Sequence, residues 1–252
     1  MTSDESAAQS ATPGSTAERT LAWAHARHFT TWFSRETTST NTIAKSRVTT
    51  SGAATPPTLY LTERQTAGRG RGDHTWSTPE GALLSTWSYR LPFAPQPILS
   101  PLVGLALFDA ASAAFEDVPF NLKAPNDLFV GRQKIAGLLI ETVMMGPVVT
   151  CAVGLGFNAG AAPESLGESA IGLAQLLPAD LISRQWPLFL SAWVDGITAA
   201  FESARASELN ENARLRLLET LNLHPLLPEK ILDVGALGQL RTPSRLINWH
   251  EL

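Results

Sequence analysis

The stretch FNLKAPNDLFVGRQKIAGLLIETVMMGPVVTCAVGLGFNAG, residues 120–160, leaves few folds open. Its apolar segments NLKA, DLFV, IAGLLIETV and VVTCAVGLGF read as four strands, and GRQ and MGP supply tight hairpin connections. Parallel neighbours need a crossover of a dozen or more residues, so strands this close in sequence pair antiparallel. PPTLYLTERQ alternates apolar with polar residues and GALLSTWSYRL does the same, which adds two strands upstream. STAERTLAWAHARHF reads as a short helix or a strand lead-in, and Ser39, Thr40 and Asn41 as N-caps of a short helical turn. SPLVGLALFDAASAAFEDV reads as a long helix with Ser100 as N-cap and Pro101 at its first position, and helix returns over 178–206. Residues 207–230 read as helix and then loop, and ILDVGALGQLRTPSRLINWHEL as two or three short strands. The expected class is α+β: a central, mostly antiparallel or mixed sheet flanked by helices, with a small C-terminal β element.

Charge narrows the partners. The 252 residues carry a net charge of -4, so no global basic field attracts nucleic acid, and an anion site must be a local cluster of arginine and lysine. No apolar run reaches the roughly 18–20 residues of a membrane span. Residues 1–18, polar and acidic, lack the basic and apolar regions of a secretory signal and read as a disordered tail, which makes the cytoplasm the expected compartment. Cys151, the single cysteine, sits in an apolar run and reads as a packing residue. The five histidines have no acidic or cysteine companions at metal-ligand spacing, so no metal site is expected from them.

Three clusters remain that chemistry can use. QTAGRGRG, from Gln65, places Arg69 and Arg71 between glycines, which suits backbone wrapping of an anion and equally suits a basic surface turn. LKAPNDLFVGRQKIAG carries Lys123, Asn126, Asp127 and Lys134, a phosphate and magnesium set or, at PNDL, a plain turn. GLGFN, Gly154 to Asn158, reads either as a functional strand end or as one where glycine relieves crowding. Neither a P-loop nor a dinucleotide fingerprint fits: no Lys-Ser/Thr follows the glycines, and GLGFNAG lacks the glycine pattern and the acidic residue downstream.

In order, STN at 39–41, QTAGRGR at 65–71, Trp76, KAPNDL at 123–128, KIAG at 134–137 and GLGFN at 154–158 resemble the biotin protein ligase family over about residues 30–205. Any one motif is weak, but their shared order is specific. The resemblance implies the class II synthetase-like biotin ligase fold, with a catalytic domain over 19–206 and a small, shortened C-terminal domain over 207–252. It implies ATP, Mg2+ and biotin as ligands, and biotinyl-5'-AMP made and passed to a lysine of a biotin carboxyl carrier domain. By position, Ser39, Thr40, Gln65, Gly68, Arg69, Trp76, Lys134 and Gly137 would bind biotin. Arg71, Lys123, Asn126, Asp127 and Asn158 would face the nucleotide, and Lys134 and Arg71 would be catalytic. No nucleic-acid or membrane partner is expected, and a monomer or homodimer is. The 36 residues before TTSTN are fewer than the helix-turn-helix of the family's repressor branch takes, so repression is not expected.

The chain also departs from the family pattern. Gly72 and Asp73 stand where a basic residue and a glycine often follow Arg71, and Ala124 stands at the tryptophan of KWPND. Both changes are expected to slow adenylation or loosen adenylate retention. A lipoate or octanoyl transferase relative would carry an R-R-x-G-G-G-A segment, which is absent. A biotin sensor without turnover would have less need of Lys134 and Arg69.

Overall fold

The computed structural model describes residues 11–12, 14–51, 57–145 and 148–249. A seven-stranded mixed sheet forms its centre, in the order β1-β2-β3-β7-β6-β5-β4. The strands are β1 (Thr30–Thr37), β2 (Thr58–Gln65), β3 (Leu83–Leu91), β4 (Phe120–Lys123), β5 (Asp127–Val130), β6 (Gln133–Met145) and β7 (Val148–Phe157). Among the described strands only the β1–β2 pair is parallel, and α2 (Thr40–Ser51) forms the crossover between those two strands. The other pairs are antiparallel, as the short connections require. Between β5 and β6 the two-residue turn Gly131-Arg132 places Gly131 at φ 57°, a conformation glycine adopts without a Cβ penalty. The MGP connection involves residues 146–147, which lie outside the described residues.

Period-two alternation separates the two faces of the sheet. Leu59, Leu61, Cys151 and Val153 point into the main core, while Tyr60 and Ala152 between them join a smaller cluster with Ala44 of α2. Thus α2 lies on one face. The main core takes in α1 (Thr16–Ala26), α3 (Leu99–Ala114) and α4 (Ala179–Ser203) on the other. Trp87, Trp186, Trp193, Phe157 and Phe189 are fully buried there. The Trp186 indole N–H donates to Thr20 Oγ1 at 3.0 Å and so ties α4 to α1. Burial pushes the Cys151 thiol up to about 12, as befits a packing residue.

Local chemistry shifts two boundaries from the sequence reading and adds one strand. The expected tail does not run to residue 18, because α1 begins at Thr16: Ser15 Oγ accepts from Glu18 N at 3.0 Å. Thr12 and Ser15 also bond the Glu63 carboxylate of β2, while residues 1–10 and 13 lie outside the described residues. Helix α3 starts at Leu99 with Ile98 as N-cap, two positions before the expected Ser100 cap and Pro101 start. Pro101 is still in the first turn, where its missing N–H would have had no helical partner. Strand β1 was hidden in the sequence between the α1 lead-in and STN.

The C-terminal element consists of α5 (Glu211–Leu221) and three two-residue strands, β8 (Asp233–Val234), β9 (Leu240–Arg241) and β10 (Leu246–Ile247). Its Leu217, Leu221, Val234 and Leu240 join the same core as the central sheet. His224 is buried at the junction, with Nδ1 2.6 Å from Asn121 Oδ1 of β4. Among the described residues no helix is long and apolar enough to cross a membrane.

Candidate active site

The stretch GRGRGDHTW folds as a small hairpin. Trp76 N donates to Gly68 O at 3.0 Å, Gly70 N to His74 O at 2.7 Å, and Arg69 bridges Thr75. Gly72 turns the tip at φ 57°. Gly68 has no room for a side chain, since a Cβ there would overlap the Trp76 carbonyl. The hairpin ends by laying the Trp76 ring on Gly156 of β7, where any Cβ would penetrate the indole.

Glycines repeat this role across the floor of a cavity of about 710 Å³. Gly137 of β6 is paired with Gly156 of β7, and Gly154 with Leu139. A Cβ on Gly154 would collide with the Asn41 amide; one on Gly137 would press on Lys134 and Asp127. Missing side chains therefore let Trp76, Asn41, Lys134 and Asp127 descend onto the sheet. This is the physical content of GLGF and KIAG.

At one end of the cavity, Ser39, Thr40 and Asn41 are buried at the start of α2. The Ser39 carbonyl accepts the first helical bond, from Ile43 N at 3.0 Å. Gln65 Oε1 accepts from Thr40 N at 2.8 Å, and Thr86 Oγ1 lies 2.8 Å from Thr40 Oγ1 and 2.5 Å from Asn41 Oδ1. At the other end stand Lys134 and the β4–β5 hairpin. Lys134 Nζ is 2.8 Å from Asp127 Oδ1 and 5.5 Å from the Trp76 ring centroid. A bulge in the β5–β6 pairing sets this geometry, since Leu128 opposes Ala136 while Phe129 opposes Lys134. Asn126 Nδ2 donates to Leu138 O at 2.7 Å, and its Oδ1 accepts from Arg71 at 3.4 Å. Asn126 thus staples its turn to β6 and steadies Arg71.

Glu141, which the sequence reading passed over, stands on β6 beside this cavity. Its carboxylate receives Lys45 Nζ at 2.5 Å, Asn41 Nδ2 at 3.0 Å and Arg69 at 2.8 Å. Burial works to raise its pKa, but the hydrogen bonds from Lys45, Asn41 and Arg69 and the Lys45 charge outweigh that and hold the carboxyl below its usual range. A lone carboxylate inside the apolar run GLLIETV was the signal available for it.

Of the residues expected in the site, Ser39, Thr40, Gln65, Arg69, Arg71 and Trp76 line the one cavity, and so do Lys123, Asn126, Asp127, Lys134 and Gly137. Gly68 and Asn158 lie off its lining. Gly68 closes the base of the hairpin, its carbonyl accepting from Trp76 N, and buried Asn158 donates to Ile171 O at 3.1 Å. The lining carries four cations, Arg69, Arg71, Lys123 and Lys134, against the carboxylates Asp73 and Asp127. In a chain of net charge -4 that is a local surplus of positive charge, suited to an anionic ligand.

The family model described as the biotin/lipoate A/B protein ligase family matches residues 33–158, half of the 252 residues. The chain belongs to this family. Among its ligase relatives, the biotin–[acetyl-CoA-carboxylase] ligase of Mycobacterium tuberculosis is 29% identical over 219 residues, covering 83% of this chain and 73% of that protein. The biotin–protein ligase of Homo sapiens is 32% identical over 108 residues, 40% of this chain and only 15% of the human protein. The biotin protein ligase of Aquifex aeolicus, solved in complex with biotin and ATP, superposes with a TM-score of 0.61 at 21% identity, covering 86% of this chain and 94% of that one. The class II synthetase-like fold of the biotin protein ligases is therefore also the fold of this family member.

Proposed function

We propose that the protein is a biotin–[biotin carboxyl-carrier protein] ligase. It activates biotin with ATP to biotinyl-5'-AMP and then transfers biotin to a lysine of a carrier domain. The observation that carries this reading is the convergence of the ordered motifs on one cation-rich cavity with a buried polar end and a basic end. The mycobacterial relative, named for acetyl-CoA-carboxylase biotinylation, and the Aquifex structure with biotin and ATP support the choice of ligands. The proposed catalytic unit, residues 19–206, contains every one of these side chains.

The chemistry follows from charge. The biotin carboxylate attacks the α-phosphorus of ATP and pyrophosphate leaves; the carrier amine then attacks the acyl carbonyl, loses a proton, and AMP leaves. Both partners in the first step are anions, so neutralisation and positioning dominate the barrier. One lysine–phosphate pair near 4 Å contributes about 4 kcal/mol of attraction at an effective dielectric of 20. Lys134, free to exchange its Asp127 partner for a ligand oxygen, is assigned that role, and Arg71 holds the phosphate. Ser39, Thr40 and Gln65 offer hydroxyl and amide groups to the ureido head, Trp76 walls the apolar part, and Lys123 faces the nucleotide. Among the described residues no cluster of three or more His, Cys, Asp or Glu forms a dedicated metal site. Magnesium would arrive on the nucleotide phosphates, with Asp127 or Asp73 supplying oxygen, and would neutralise phosphate charge.

Pyrophosphate release tests the reading and separates biotin from lipoate within the family. Release that depends on ATP and on biotin, with lipoate at least a hundredfold poorer, is the expected result. Equal or greater release with lipoate would overturn it.

A further inference from the structure

Arg69 and Arg71 lie in one hairpin, yet the structure gives them different partners. Among the described residues Arg71 reaches only the neutral Asn126 Oδ1, at 3.4 Å. Arg69 Nη1 engages both oxygens of Glu141, at 2.8 and 3.1 Å. The same carboxylate holds Asn41 from the first turn of α2 and Lys45 one turn on. Glu141 is largely shielded, at 17% side-chain exposure, whereas Arg69 is 44% exposed. Charge-assisted bonds to a shielded, multiply held acceptor are the strong kind. Three segments, two of α2 and one of the hairpin, are thus fixed to a rigid central strand by one side chain.

We propose that Glu141 is a positioning residue that latches the glycine hairpin over the cavity through Arg69. Arg69 then acts as the clasp, and the ligand's anionic groups are left to Arg71, Lys123 and Lys134. The same anchor fixes Asn41, whose Oδ1 meets Thr86 and whose amide rests on Gly154. Closing the hairpin and shaping the buried end of the cavity are therefore one event. The latch itself follows from this geometry; only its kinetic consequence rests on the ligase reading.

A ligand that needs the closed hairpin binds in proportion to the closed population. In Glu141→Gln, the KM for biotin is expected to rise about tenfold while kcat at saturation stays within about threefold. Arg69→Gln should do the same, and the double variant no more than either single. The decisive arm uses no ligand. Trypsin cleavage after Arg71 follows the open population, so each single variant should be cut there about tenfold faster than the parent, with the melting midpoint kept within a few degrees. Should Glu141→Gln fail to fold, Arg69→Gln reads the same latch from its exposed side. Unchanged cleavage after Arg71, or additive effects in the double variant, would overturn the proposal. A parent protein inactive with biotin would sink the ligase reading and leave the trypsin result to decide the latch.

Discussion

At Gly156 the Trp76 ring occupies the space of a side chain, so the smallest addition is informative. Gly156→Ala must push the indole off β7, and the expected result is a biotin KM raised about tenfold with about 1–3 kcal/mol of lost stability. Equilibrium denaturation and pyrophosphate release measure the two. Glu141 gives a prediction in pH. Its folded pKa lies below the ordinary 4.5, so its contribution is complete above that value and is lost as pH falls through the lower folded value. The melting difference between the parent and Glu141→Gln should hold from pH 7 to about 5 and shrink below about 4.5. A difference that grew in acid would contradict the lowered pKa. At this scale the sequence was most informative about residues whose chemistry is local. Arg71, Lys134 and Trp76 stand out because charge or size between glycines is unusual. Glu141 does not, because its meaning depends on Asn41, Lys45 and Arg69, which are 100, 96 and 72 residues away.

The β4–β5 hairpin, which carries Lys123, Asn126 and Asp127, is placed from behind by α3. Gly104 of that helix faces Pro125 so closely that a Cβ would overlap the Pro125 carbonyl. Gly104→Ala would gain about 1 kcal/mol of helix propensity, but the overlap forces the hairpin outward. A net loss of about 1–3 kcal/mol in stability and at least a tenfold loss in adenylation are expected. A more stable, fully active variant would show that α3 does not position the hairpin. The tight antiparallel units were legible in the sequence, because turn residues and alternation are local signals. Strand β1 was not: TTWFSRET is an edge strand without a clean apolar face, and its partner among the described strands, β2, pairs in parallel across α2. Helix α2 exceeded a short turn for a similar reason. Ala44 is buried against Tyr60 and Ala152, a tertiary gain that TNTIAKSRVTTS does not advertise.

The whole molecule sets a cation-rich cavity into a chain of net charge -4, with one continuous core beneath the sheet. The C-terminal element shares that core, and His224 binds it to the strand that ends in Lys123. Asp73 is exposed at the hairpin tip, where solvent screening blunts its charge, and Ala124 is buried on the cavity wall. The motif order made the site legible as a set, whereas the placement of Asn158 and Gly68 off the cavity required the fold. Transfer to a carrier is the central claim, and mass spectrometry of a biotin carboxyl carrier domain, incubated with the protein, biotin and magnesium ATP, tests it most directly. The account predicts a mass gain of one biotinyl group on the carrier, reduced at least a hundredfold by Lys134→Ala in a variant that keeps its fold. An unmodified carrier with the parent protein, or full modification by Lys134→Ala, would contradict it.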